Sequence, residues 1–141
     1  MPIPRFTIEG LQEIQRRNAK RIATMKPGGV AEEAVRDAVV ALHRYAVTIT
    51  HVGKYQRSGA TVGGGSLRAS HRMEVEGLSG KIYIDPGARN PLSRTKPREY
   101  GVYENARGGE HAFYDRTVDE YGPVVSARTK TRITEAILYA K

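Results

Sequence analysis

His43, His51, His71 and His111 are the residues best suited to metal or proton chemistry in this chain, which contains no cysteine. Their spacing is not that of metal ligands, and their neighbours are apolar or basic. Ser70 adjoins His71, but adjacent side chains on an extended strand point to opposite faces, so the two cannot work as nucleophile and base. Glu110, Asp115, Asp119 and Glu120 fall partly at helical spacing, which suits a solvated acidic face better than a pair of catalytic carboxylates. Residues 52–65 hold five glycines in fourteen positions and invite comparison with a phosphate-cradling loop. That comparison fails: Gly53-Lys54 is followed by Tyr55, and Ser66 follows glycine with no lysine between, so Gly-x-x-x-x-Gly-Lys-Ser/Thr is absent. The expectation is a protein that is not an enzyme and has no metal or cofactor.

The elements that would position a working surface are easier to read. A chain of 141 residues suits a single domain over 1–141 that buries roughly two thirds of its unfolded surface. Hydrophobic residues make up 39% of the chain but aromatic ones only 7%, with no Trp, so the core must be thin and aliphatic. Part of the surface is then expected to find its cover on another subunit. The absence of cysteine excludes disulfides and fits assembly in a reducing cytoplasm. Met1-Pro-Ile-Pro-Arg5 is not a signal peptide, and no apolar run approaches the roughly 20 residues of a membrane span. A soluble protein without membrane contact is expected. The net charge of +8 raises nucleic acid and acidic proteins as partners, yet the basic residues are spread along the chain with no aromatic platform between them.

Ile8, Leu11, Ile14, Ile22 and Met25 recur at near-helical intervals and predict a first helix over 8–25, capped by Thr7 and stopped at Lys26-Pro-Gly-Gly29. Ala31, Val35, Ala38, Leu42, Tyr45 and Ile49 predict a second, over 30–51, with that stripe as its core face. The glycine-rich stretch 52–65 reads as a long mobile loop and as the contact arm. From Ser66 the period becomes two, which predicts a hairpin over 66–85 turning at Gly77-Leu-Ser-Gly80. Residues 86–99, with three prolines, read as a second mobile loop. Tyr100–Glu104 suits either a strand or a short helix. Residues 110–121 suit an acidic helical turn or two, interrupted at Gly122-Pro123, and Val125, Ile133, Ile137 and Ala140 predict a last helix. The fold class expected is α+β: two N-terminal helices, a small antiparallel sheet with a β-hairpin and long loops, and a C-terminal helix.

Two segments stand out from this frame. Gly65-Ser-Leu-Arg-Ala-Ser70 matches Gly-x-Leu-x-x-Ser through Gly65, Leu67 and Ser70, with Arg68 between, and Tyr100 and Tyr103 match the tyrosines of a Tyr-Ala-x-Tyr-x-Glu pattern that leads to Ala112-Phe113, with Glu104 one position ahead of its glutamate. In this order the pieces resemble the tail-completion or head-tail joining proteins of long-tailed double-stranded DNA phages, often labelled neck, minor capsid or minor tail components. Gly101 stands where alanine is usual in that family, and Asn105-Ala-Arg-Gly108 replaces a direct Glu-x-Gly.

The resemblance implies a structural virion protein, assembled in the host cytoplasm and placed at the head-tail interface. It would form a hexameric ring around the DNA channel, between the head-completion or stopper protein and the tail terminator or tail tube protein. Genomic DNA would pass the lumen without sequence-specific binding. Lys54, Tyr55, Arg57, Gly65, Leu67, Arg68, Ser70, Tyr100, Tyr103, Glu104 and Phe113 are the subunit and partner contacts on this reading, and Arg68 could pair with Glu104 across the sheet. The alternative is a small basic nucleic-acid-binding protein that uses residues 52–72.

Overall fold

The computed structural model describes residues 10–52, 54–57, 60–63, 65–91 and 94–139. Residues 8 and 9 of the expected first helix, the Thr7 cap, Ala140, and Gly53, Ser58, Gly59 and Gly64 of the glycine-rich stretch lie outside them.

Two helices come first, α1 (Leu11–Met25) and α2 (Val30–Ile49). α1 starts from Gly10, whose φ of 79° is left-handed. At the corner between the helices, a Cβ on Gly29 would press into main-chain oxygens of Ala23, Thr24 and Lys26, the last two at 2.7 and 2.9 Å. Only glycine lets α2 begin this close to the end of α1. Gly29→Ala should therefore cost about 1–3 kcal/mol, since main chain cannot rotate out of the way. Urea unfolding would check this, with Gly28→Asn as the comparison: Gly28 has open space around it and a left-handed φ of 80° that asparagine tolerates, so its loss should be much smaller.

α2 is the central element. Its fully buried apolar residues are Ala31, Ala34, Val39 and Ala46, while Val35, Leu42, Tyr45 and Ile49 of the expected stripe are half-buried. The correction has a geometric cause. α6 covers one flank of α2 and the hairpin β3–β4 covers the other, so the middle of the apolar face lies in the furrow between them.

The stretch 52–65, expected to be structureless, contains an antiparallel pair, β1 (Lys54–Arg57) and β2 (Ala60–Gly63). Tyr55 stands opposite Val62 and Gln56 opposite Thr61. Aromatic and β-branched residues favour a pleated pair, and that local preference outweighs the glycine content. Ser66–Ala69, expected as the start of a strand, is a single helical turn, α3. The Ser70 hydroxyl donates back to the Leu67 main-chain oxygen (2.8 Å) and closes the turn before the strand can begin.

The main hairpin is accordingly shorter than 66–85. β3 (His71–Glu76) pairs with β4 (Ser79–Ile84) across a two-residue turn, where Gly77 takes a left-handed φ of 56°. Gly80 lies so close to the Val39 side chain that a Cβ there would collide with it, which is how the hairpin seats on α2. The open choice for Tyr100–Glu104 resolves as helix: α4 (Pro97–Ala106) begins with proline in its first turn, where a missing N–H costs nothing. The expected second loop therefore ends before Pro97.

A 3₁₀ turn (Gly109–His111) leads to α5 (Phe113–Arg116), a π-helical turn (Thr117–Tyr121) and α6 (Gly122–Leu138). The helical path does not break at Gly122-Pro123. A π turn pairs residues five apart and widens the helix, which relieves the clash that proline makes with the carbonyl four residues back. The architecture is α+β, as the order of sequence patterns predicts. Among the described residues no helix is long and apolar enough to cross a membrane.

Candidate assembly surface

The motif segments meet in the interior. Gly65, at φ 121°, turns the chain into α3 and seats Leu67 in the core. A Cβ on Gly101 of α4 would lie 2.6 Å from Ile84 Cδ1, 3.0 Å from Leu67 Cδ1 and 3.8 Å from Phe113 Cζ. Leu67, Gly101 and Phe113 thus form one packing knot, and the glycine that stands in place of alanine lets α4 approach the hairpin. Asn105 ties the same knot from the polar side: its Oδ1 accepts the main-chain N–H of Tyr114 at 2.9 Å and of Asp115 at 3.3 Å, capping α5.

Arg68 and Glu104 do not pair. Arg68 folds back on the C-terminal end of α2 and donates to the main-chain oxygens of Thr50 (2.7 Å from Nη2, 3.2 Å from Nε) and Thr48 (3.3 Å). Those carbonyls carry the negative end of the helix dipole and lack partners within the helix, so a guanidinium is well placed there. Glu104 instead accepts from Arg107 (3.0 Å) and His111 (2.9 Å). Burial raises the Glu104 carboxyl, but these two hydrogen bonds more than offset it and leave the group below its ordinary 4.5.

His71 is the buried polar centre. Thr50 spends its hydroxyl hydrogen on the Ala46 main-chain oxygen (2.6 Å), so toward His71 Nε2 (2.7 Å) it can only accept. Nε2 therefore carries the proton and Nδ1 accepts from the Tyr114 hydroxyl (3.1 Å). His43 Nε2 lies 3.2 Å from the His71 main-chain oxygen. Burial, and secondarily the charge of His43, lowers His71 from 6.5 to about 4, and burial pushes the Tyr114 hydroxyl up to about 12. With both ring nitrogens committed to structural partners, His71 joins α2, β3 and α5 and faces no open cleft. Thr50 and Tyr114, its partners, carry no sequence signal, because they come together only through the packing of three elements.

Of the contact residues expected from sequence, Leu67, Ser70 and Phe113 lie in the interior and Arg68 caps α2. Tyr100 is half-buried, and Tyr103 projects from α4 at 74% exposure beside the exposed Val102. Lys54, Tyr55 and Arg57 contribute the main chain of β1, and their side chains lie outside what the structure describes. Among the described residues no group of three or more His, Asp or Glu could hold a metal ion. An open groove of ≈ 560 Å³ runs between β4 and α4, with Glu74, Lys81, Arg98 and Tyr114 among its polar lining residues and Ile82, Pro86 and Val102 among its apolar ones.

Outward-facing apolar residues are the larger feature. Ile14, Ile22 and Met25 are 51%, 57% and 44% exposed on α1; Met73 and Leu78 are exposed on the hairpin, Val102 and Tyr103 on α4, and Val118 and Val124 around the π turn. Ile14, Ile22 and Met25, part of the periodicity that predicts α1, point away from the body. Among the described side chains of α1 the buried one is Thr24, which belongs to its polar side. Comparison with family models, with characterised proteins and with solved structures returns no match to this chain.

Proposed function

We propose that this chain is a structural subunit that completes itself by assembly, forming a hexameric ring in the neck of a long-tailed DNA phage, where tail is joined to head. The observation that carries the reading is surface left uncovered. The buried apolar core is half alanine, and larger apolar residues lie outside on several separate elements, as a head-to-tail contact between unlike patches requires. The resemblance of the Gly65–Ser70, Tyr100–Glu104 and Ala112-Phe113 segments to tail-completion proteins supplies the station in the virion.

A nucleic-acid-binding reading draws less support. Arg68 is committed to the end of α2, and Arg72 to the main-chain oxygens of Ala69 and His71 and to the Asp85 carboxylate.

Immunogold labelling of purified virions should mark the head-tail junction, and silencing the gene should leave DNA-filled heads and separate tails. Normal joined virions without this chain would overturn the proposal. So would tight binding of the purified chain to duplex DNA that falls steeply with salt.

A further inference from the structure

We propose that α1 is the docking element of the subunit and that its outward apolar stripe seats on the Asp115–Val118–Asp119 face of a second copy of this chain. The inference deepens the ring reading and rests on it for closure of the ring. At 100° per residue Ile14, Ile22 and Met25 fall within roughly 80° of one another, so they form one continuous stripe. It is an apolar face on a helix whose polar side is turned inward, and among the described residues none covers it.

The charge beside the stripe selects the occupant. Glu13, the acidic residue of α1, is already held by Arg16 and Arg17. Lys20 and Lys26 have no side-chain partner among the described residues, and Arg21 donates only to the main-chain oxygen of Ile137. Arg21 and Lys26 border the stripe on its two sides, while Lys20 lies on the far face of the helix, so the stripe has a basic margin with no carboxylate partner among the described residues. The same chain carries its complement: Asp115, Val118 and Asp119 stand three and four residues apart on one helical face, Val118 is 66% exposed, and neither aspartate has a side-chain partner among the described residues. Phe113 and Thr117, buried on the opposite side of the same turns, hold that face outward.

Both patches are exposed on one chain, so neither covers the other within the subunit, and only a second copy brings them together. α1 packs on α2 and α6, while α5 packs on α2 and α4. The contact joins two unlike patches, which generates a ring or a helix rather than a symmetric dimer.

The absence of cysteine makes the test direct. Full-length chains carrying Ile22→Cys and Val118→Cys are mixed at high concentration and low salt with oxidised glutathione, and the disulfide-linked species are weighed. The mixed dimer should exceed each homodimer severalfold. Asp115→Lys with Asp119→Lys in the Val118→Cys chain should abolish it, and Arg21→Glu with Lys26→Glu in the Ile22→Cys chain should restore it. All of these positions are at the surface, so far-UV circular dichroism should be unchanged. A dominant Ile22→Cys homodimer, equal random yields, or no disulfide would overturn the proposal. Capture of the chain by phosphatidylserine vesicles in place of the mixed dimer would also overturn it, because the basic stripe would then be a lipid-surface element. Failure here with a labelled head-tail junction leaves the neck reading standing, whereas a mixed dimer with unlabelled virions refutes the neck reading and leaves the docking surface.

Discussion

Phe113→Ala is expected to remove about 3–5 kcal/mol of stability, the cost of deleting a fully buried aromatic ring and leaving its cavity unfilled. Phe113 is 1% exposed and is among the largest fully buried side chains. Its ring meets His71 edge-on at 5.2 Å between centroids and Tyr114 at 4.6 Å, and its tip touches the space kept open by Gly101. Removing it therefore loosens α3, α4, β3 and α5 together. A domain of ordinary stability, about 5–15 kcal/mol, would be brought close to its limit. Thermal and urea unfolding should show the loss, with Phe113→Leu, which keeps much of the volume, losing distinctly less. Equal and small losses for both would show that the knot of Leu67, Gly101 and Phe113 does not hold these elements together.

The second large effect is a loss of stability in acid, centred on His71. The folded chain holds the imidazole at about 4, below its ordinary 6.5. Between those values an unfolded chain takes up a proton that the folded chain refuses, so stability rises with pH across the window and is lost as pH falls from 6.5 to 4. A separation of this size corresponds to about 3 kcal/mol. Below pH 4 the group contributes no further loss. Carboxylates held low, such as Glu104 and Glu120, add their own losses in acid as they protonate, so the test is a difference. Urea unfolding of the natural chain and of His71→Gln at pH 7.5 and pH 4.5 isolates the imidazole, because the carboxylates are common to both. The natural chain should lose more by about 2–3 kcal/mol. Parallel losses would mean that His71 takes up its proton in the folded chain as easily as in the unfolded one. The geometry argues otherwise: protonation puts a hydrogen on Nδ1, which now accepts from Tyr114, and the phenol must then reverse its role inside the core.

Several features were legible in the sequence because they depend on neighbours along the chain. Helical periodicity located α1 and α2 to within a few residues, since an apolar residue every three or four positions is a local property of the helix. Alternation located β3 but began it five residues early, and Lys26-Pro-Gly-Gly29 marked the corner that Gly29 makes sterically necessary. The α+β class followed from the order of these patterns.

Tertiary structure decided what each face meets. Periodicity says that Ile14, Ile22 and Met25 share a side of α1, but whether that side looks at the core depends on which body packs there, and α2 and α6 take the polar side. The half-burial of Leu42 and Ile49 has the same origin, because two neighbours on α2 leave a furrow where a single neighbour would leave a core. Arg68 and Glu104 carry opposite charges that invite pairing, yet Arg68 lies beside the unpartnered carbonyls of α2 and Glu104 beside Arg107 and His111. Proximity within α4 and its following turn settled the second, and the fold of α3 onto α2 settled the first. Sequence fixes which residues can interact; the packing of elements distant along the chain fixes which of them do, because burial and Coulomb energies depend on separation in space.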